Sequence, residues 1–268
     1  AGGGSRASAM LRTDPRSPCA ARPAWCASAP TTGVARACIR MFENRRMTKP
    51  LACLLFLLAT AAGHAVAAED AAPPVPVACR VQAPTSAFER AVLAEVNRAR
   101  TAPRAYADTV RALYAGMDAH GLYRRGERRM AVGEGPAAVD EALRFLGEVE
   151  PVPPLRMASC LNLAAARHAR AKGSVGGSGH LGANGWTPSR RASASTAAPV
   201  GCSENIAYGY DDVAEMVAAL VVDDGVAGRG HRRNLFDPRM RSFGAGRAPH
   251  LLRRIMDVQL FCLQDVEG

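Results

Sequence analysis

The sequence predicts a single α+β domain, and three observations carry that prediction. Several segments repeat apolar residues at helical spacing, two stretches near the C-terminus read as strands, and residues 173–201 show no period at all.

The first helix opens at Ser86. Glu89 follows three residues later in a capping-box pattern, and Phe88, Val92, Leu93 and Val96 share one face. Pro103 restarts the chain in a second short helix carrying Tyr106 and Val110, since proline is well tolerated in a first turn. Residues 121–135, rich in Gly and Arg, read as loop. A helix then runs over 136–149 and is broken by the prolines at 151, 153 and 154. Leu161, Ala164, Ala165 and His168 recur on one helical face. Asp212 caps a later helix, with Glu215 as its partner and Val213, Met216, Val217 and Leu220 buried. Residues 242–248 and 255–261 read as strands joined by a turn around Pro249. The long unpatterned stretch 173–201 is of the kind that carries function in compact domains.

Upstream of the domain the composition changes. Residues 1–46 are rich in Arg, Ala, Gly, Ser and Pro, precede Met47, and read as leader sequence. Residues 47–67 have the layout of a secretory signal peptide: Lys49, an apolar run over 51–62, and Ala65-Val66-Ala67 ahead of Glu69-Asp70. That apolar run falls short of the ~20 residues a bilayer crossing needs. Residues 68–85 read as a flexible arm and 86–264 as the folded domain.

Charge follows the same division. Of 34 basic and 24 acidic residues, residues 1–68 hold nine and two, which leaves 25 and 22, a formal +3 against +10 for the whole chain. A nucleic-acid surface needs a clustered basic footprint, so that class of partner is excluded. Four cysteines remain after residue 68: Cys79, Cys160, Cys202 and Cys262. An even number in an exported chain implies disulfides, with three possible connectivities. No Asn-x-Ser/Thr sequon occurs.

The candidate chemistry lies in His180, Glu204, Asp223 and His231, a nitrogen and oxygen donor set suited to a divalent ion such as zinc. Their spacing matches no compact metal motif, and the alternative is four residues acting locally as caps and loop hydrogen-bonders. His168, on an apolar helix face, reads as a core histidine. Trp186 reads either as loop packing or as a ligand-stacking ring. Ser203 lacks the G-x-S-x-G elbow of a serine hydrolase.

Four ordered segments decide the reading: EVNRARTAPRAY at 95–106, GHLGANG at 179–185, SENIAYG at 203–209 and DDGVAGRGHRRNLF at 223–236. In that order they resemble CAP-domain proteins, the cysteine-rich secretory and pathogenesis-related superfamily, in its bacterial form. The resemblance implies an α-β-α sandwich, with a small antiparallel sheet between helical layers. It also implies a cleft of two histidines and two acids that binds a divalent cation in some members. His180, Glu204 and His231 match three of those positions. At the fourth, many members carry Glu after a Trp-containing helix. This chain has Asp223 and Asp224 and no such Trp. Asp223 is the expected residue, about two helical turns after Met216, and a shorter acid implies weaker metal binding. Residues 134–146 resemble an extra segment of bacterial members.

The expected disulfides are Cys160–Cys202, tying a helix start to the segment with Glu204, and Cys79–Cys262, tying the arm to the last strand. The function implied is a secreted or periplasmic, monomeric, non-enzymatic module that engages a small ligand, a lipid or a cell-envelope component. It is not integral to the membrane after signal cleavage. The alternative is a metal-assisted hydrolase of peptide or cell-wall bonds, with the ion activating water.

Overall fold

Residues 75–267 are described by a computed structural model; the leader and signal-peptide readings lie outside them. Strand β1, Val77–Ala78, already departs from the expected flexible arm. It pairs in parallel with the last strand, Val77 opposite Val266, and Cys79 forms a bridge with Thr196. The arm is therefore anchored from Val77 onward.

Helix α1, Ala87–Thr101, begins with the expected capping box. The Ser86 hydroxyl accepts the Glu89 N–H at 3.3 Å, and the Glu89 carboxylate accepts the Ser86 N–H at 2.6 Å. Helix α2, Pro103–Leu113, starts on its proline. Residues 121–135 are not simply loop. They contain an antiparallel hairpin of β2, Leu122–Arg125, and β3, Arg128–Ala131, turning through Gly126 and Glu127 with Gly126 at φ 56°. A glycine leading a two-residue turn is a hairpin signal. The four arginines of the two strands conceal the alternation, in which Tyr123 is buried between exposed neighbours.

Helix α3, Pro136–Glu148, and helix α4, Ser159–Gly173, follow as the periodicity indicates, with a short strand β4, Arg156–Met157, between them that the sequence pattern did not predict. The long unpatterned stretch contains a short helix, α5, Pro188–Ser193, capped by the Thr187 hydroxyl. Strand β5 is Cys202–Tyr208, helix α6 Val213–Val222 and helix α7 Gly230–Phe236. Asp212 accepts the Glu215 N–H at 2.8 Å, while Glu215 itself is buried. Strands β6, Ser242–His250, and β7, Arg254–Cys262, run longer than expected, and β8, Val266–Glu267, closes the chain. Pro249 lies inside β6 opposite Ile255, so the turn sits at residues 251–253. Arg254, the first residue after that turn, pairs opposite His250.

The four-stranded sheet has the order β4-β6-β7-β5, antiparallel except for the parallel β4–β6 pair. Its two faces alternate with strand period. Phe243, Ala245 and Phe261 pack with α1, α2, α3 and α6, whereas Met256, Val258 and Leu260 pack with α4. Two helical layers around a small sheet make this the expected α+β sandwich. On the α4 side the spacing is set by glycine. A Cβ on Gly246 would fall 2.1 Å from the Ala166 nitrogen, and one on Gly244 would fall 2.4 Å from the Leu161 carbonyl carbon. Helix α4 therefore lies with its backbone directly on β6.

Both disulfides form, but in a different pairing from the one expected. Cys202 bonds to Cys262 and Cys79 to Cys160. The reason is register. Cys202 and Cys262 are directly opposed on β5 and β7 with Cα atoms 4.1 Å apart, the close spacing of a non-hydrogen-bonded antiparallel pair. Cys79, held by β1 and the Thr196 bridge, reaches the start of α4 instead.

Candidate functional site

Strand β5 is an edge of the sheet, and its sequence Ser203-Glu204-Asn205 serves both flanking layers. The Glu204 carboxylate is buried on the α4 and α5 side. His180 Nδ1 lies 3.0 Å from its Oε1, the Arg191 guanidinium donates to its Oε2, and His168 Nε2 stands 3.9 Å away. Burying a carboxylate is costly unless it is paired and hydrogen-bonded, and here an imidazole and a guanidinium do both.

The loop bearing His180 is fixed at three backbone atoms. The Gly179 carbonyl accepts from His168 Nε2 at 3.1 Å, the Gly179 N–H donates to the Tyr208 hydroxyl at 3.3 Å, and the His180 carbonyl accepts from Arg191 at 2.6 Å. Arg191 also holds the Trp186 carbonyl at 2.9 Å. His168 is buried, as expected of a core histidine, but it also supports the site by holding the loop.

Burial pushes the His168 imidazole below its usual range, against the pull of Glu204. The unfolded ring takes up a proton near pH 6.5, and the folded one does so only at lower pH. Between those values the unfolded state binds more protons, so stability is complete above the upper value and falls on acidification. Thermal melts from pH 7 to pH 5 should show a steeper loss in the wild type than in His168→Gln; equal slopes would contradict this.

On the other flank, α6 ends at Asp223 in a left-handed conformation, φ 56° and ψ 43°. This turns its buried carboxylate onto the start of α7. Oδ2 accepts the His231 N–H at 2.8 Å and the Arg232 N–H at 3.1 Å, and Oδ1 lies 2.6 Å from His231 Nδ1. Asp224 does something else: it accepts the Gly133 and Glu134 N–H groups at 2.6 and 2.8 Å. Of the adjacent acids, Asp223 is the one that faces a histidine.

The two flanks are joined through Asn205. Its amide donates to the His231 carbonyl at 3.0 Å, and Asn234 donates to its Oδ1 at 2.8 Å. The four sequence-predicted residues are arranged as two histidine–carboxylate pairs, His180 with Glu204 and His231 with Asp223. Among the described residues no group of three or more His, Cys, Asp or Glu is gathered as metal ligands.

Beside the Asp223–His231 pair lies a cavity of about 260 Å³, whose lining includes four of the chain's five tyrosines: Tyr114, Tyr123, Tyr208 and Tyr210. Burial pushes the Tyr210 phenol up to about 12 and the Tyr123 phenol also upward, so both remain O–H donors at neutral pH. The β2–β3 hairpin supplies one wall. Its far end is fastened to the α6–α7 turn by Asp224 and by Arg229, which pairs with Glu134 at 2.7 Å and Glu141 at 2.9 Å. The Arg229 guanidinium holds the exposed Glu134 carboxyl down at about 2.

Arg191, Asn205, Asn234 and Arg229 were not among the expected site residues. Arg191 carried the clearest signal. It and Arg190 are the only Lys, Arg, Asp or Glu residues between Lys172 and Glu204.

A family model described as CAP, cysteine-rich secretory protein family, matches residues 93–251, and the chain belongs to that family. None of the curated proteins matches it. Among solved structures, an extracellular protein containing an SCP domain from Bacillus anthracis is 19% identical with a TM-score of 0.35, over 41% of this chain and 34% of that one. An outer surface protein from Borrelia burgdorferi is 19% identical with a TM-score of 0.36, over 42% of this chain and 80% of that one. The chain thus spans about a third of the first of these. Among the described residues no helix is long and apolar enough to cross a membrane.

Proposed function

We propose that the chain is a secreted, non-enzymatic CAP module whose cleft beside β5 takes a divalent cation on Nε2 of His180 and of His231, with a small ligand or envelope component admitted next to it. The observation that carries this reading is the pairing itself. A carboxylate accepts but does not donate, so each Nδ1 carries a proton, and in the neutral tautomer that leaves the Nε2 lone pair available to a metal. Histidine ligands are commonly oriented by a carboxylate in this way. Glu204 and Asp223 therefore act as orienting partners and His180 and His231 as donors, in place of four direct ligands. Bound zinc would supply a Lewis-acidic anchor for an oxygen donor on the ligand. Export is supported by the two disulfides and the signal-like segment.

The hydrolase reading requires a free general base, and both carboxylates are already committed. Glu204 is bound by Arg191 and His180, and Asp223 by three donors. The binding reading is favoured on that ground.

Zinc at about 100 times its Kd should raise stability by about 2.7 kcal/mol through mass action. Calorimetry should show this in the wild type, should lose it in His231→Ala, and should find weaker binding on acidification because a protonated ring has no lone pair to give. Equal affinity in wild type and variant would refute the site. Zinc-dependent turnover of peptidoglycan, casein or simple esters would favour the hydrolase instead.

A further inference from the structure

The turn between β6 and β7 carries Leu251 and Leu252, 72 and 76% exposed, and Val175, just past the end of α4, is 72% exposed. The three are neighbours. A Cβ on Gly176 would fall 3.0 Å from the Leu252 Cγ and 3.7 Å from the Leu251 Cβ, so the chain beside Val175 lies against both leucines. Single exposed apolar side chains need no explanation, but large ones gathered at one turn mark an interaction surface.

The backbone beneath the leucines is a second, independent observation. The Leu251 N–H donates to the Gly173 carbonyl at 2.9 Å, and the Leu252 and Arg253 N–H groups both donate to Nδ1 of the buried His250, at 3.2 and 3.1 Å. Nδ1 is therefore the acceptor nitrogen, and Nε2 carries the proton and donates to the Gly177 carbonyl at 2.9 Å. Each N–H from Leu251 to Arg253 is answered inside the protein while both leucine side chains stay outside. An apolar medium asks this of a turn, because no water is there to satisfy its backbone.

Charge selects the occupant. Arg253 and Arg254 follow the leucines and are exposed, and the Lys172 Cδ and Val175 Cγ2 lie 3.2 and 3.5 Å from where a Gly177 Cβ would stand. Neither residues 170–180 nor residues 249–256 contain an Asp or Glu. Asp211, on the flank, is shared between Arg254 at 2.8 Å and Arg128 at 3.3 Å, which leaves the rim basic. We infer that this tip docks on an anionic lipid membrane. Leu251, Leu252 and Val175 enter the interface, and Lys172, Arg253 and Arg254 meet the lipid phosphates, each basic side chain strengthening binding about fivefold. The Tyr208 ring, with His250 edge-on at 5.3 Å and the Arg253 guanidinium at 4.6 Å, also lines the tyrosine cleft, so docking brings that cleft to the bilayer.

The test is co-sedimentation with lipid vesicles. It uses the chain from Ala68 onward, a compact unit of its own, because the apolar run over 51–62 would itself enter lipid. Vesicles containing phosphatidylglycerol should bind it at least about tenfold more tightly than vesicles of phosphatidylcholine alone. Leu251→Ser with Leu252→Ser should weaken that binding at least about tenfold, and Lys172→Gln about three- to fivefold, with circular dichroism checking each fold. Leu252→Trp should keep binding, since tryptophan favours the membrane interface, and should add fluorescence that brominated-chain lipid quenches. Four results would each overturn the proposal: no binding to phosphatidylglycerol vesicles, equal binding to both kinds of vesicle, unchanged binding in the folded double-serine variant, or an unquenched Leu252→Trp signal. Self-association lost in the double-serine variant, without lipid binding, would assign the tip to a second copy of the chain instead. None of these residues is a zinc donor, so either site can fail without the other.

Discussion

Replacing Cys202 and Cys262 together by serine is expected to cost the domain about 4 kcal/mol, the chain-entropy value for a loop of that size. The bridge closes 60 residues between β5 and β7, and Cys79–Cys160 closes 81 between the N-terminal segment and α4. Each loop is long enough that the unfolded chain gains much freedom when its bond is removed. The first has an added consequence. It clamps the beginning of an edge strand whose third residue is Glu204, so its removal loosens one flank of the site as well. Urea unfolding measures the energy, and peptide mapping without reduction should recover the 79–160 and 202–262 pairs. Recovery of 160–202 and 79–262 would contradict the register argument.

Arg100→Met should cost about 3–5 kcal/mol, the usual scale for removing one partner of a buried charged network. Arg100 is fully buried in the turn-facing side of α1. It donates to the carbonyls of Pro153 at 3.0 and 2.8 Å, Leu235 at 2.5 Å and Asp237 at 3.2 Å. Burial pulls its guanidinium down to about 10, still charged at neutral pH. One side chain thus ties the segment after α3 to the end of α7, and methionine fills the space while leaving those carbonyls unanswered. Arg98→Met, two residues away, is the control. Its bond to Glu95 is solvent-screened, so its loss should cost under about 1 kcal/mol. Equal losses in the two variants would mean that the Arg100 network is not what holds these segments.

The segment 95–106 shows what kind of information the sequence held. It was legible as a family signature, yet its residues work as joints rather than as chemistry. Arg100 is one such joint, and Asn97 another, exchanging two hydrogen bonds with the Leu155 backbone at 3.0 and 2.8 Å. The helices were legible because caps and apolar stripes are local. Ser86 with Glu89, and the Val92–Val96 face, depend on nothing far away in the chain. The β2–β3 hairpin was missed because arginines occupy its solvent positions and mask the period of two. The disulfide pairing was missed because cysteine spacing says nothing of strand register. The site residues were individually legible, but their division into pairs was not. It depends on Asp223 taking a left-handed conformation and on Arg191 reaching Glu204 from α5, a short helix inside an otherwise unpatterned stretch.

The most direct test of the two-histidine cleft is a crystal of the protein soaked in zinc and measured at the zinc absorption edge. One anomalous peak is expected, bonded to Nε2 of both His180 and His231, with Glu204 and Asp223 still on the Nδ1 atoms. A peak bonded to those carboxylates, or to a single histidine, would contradict it.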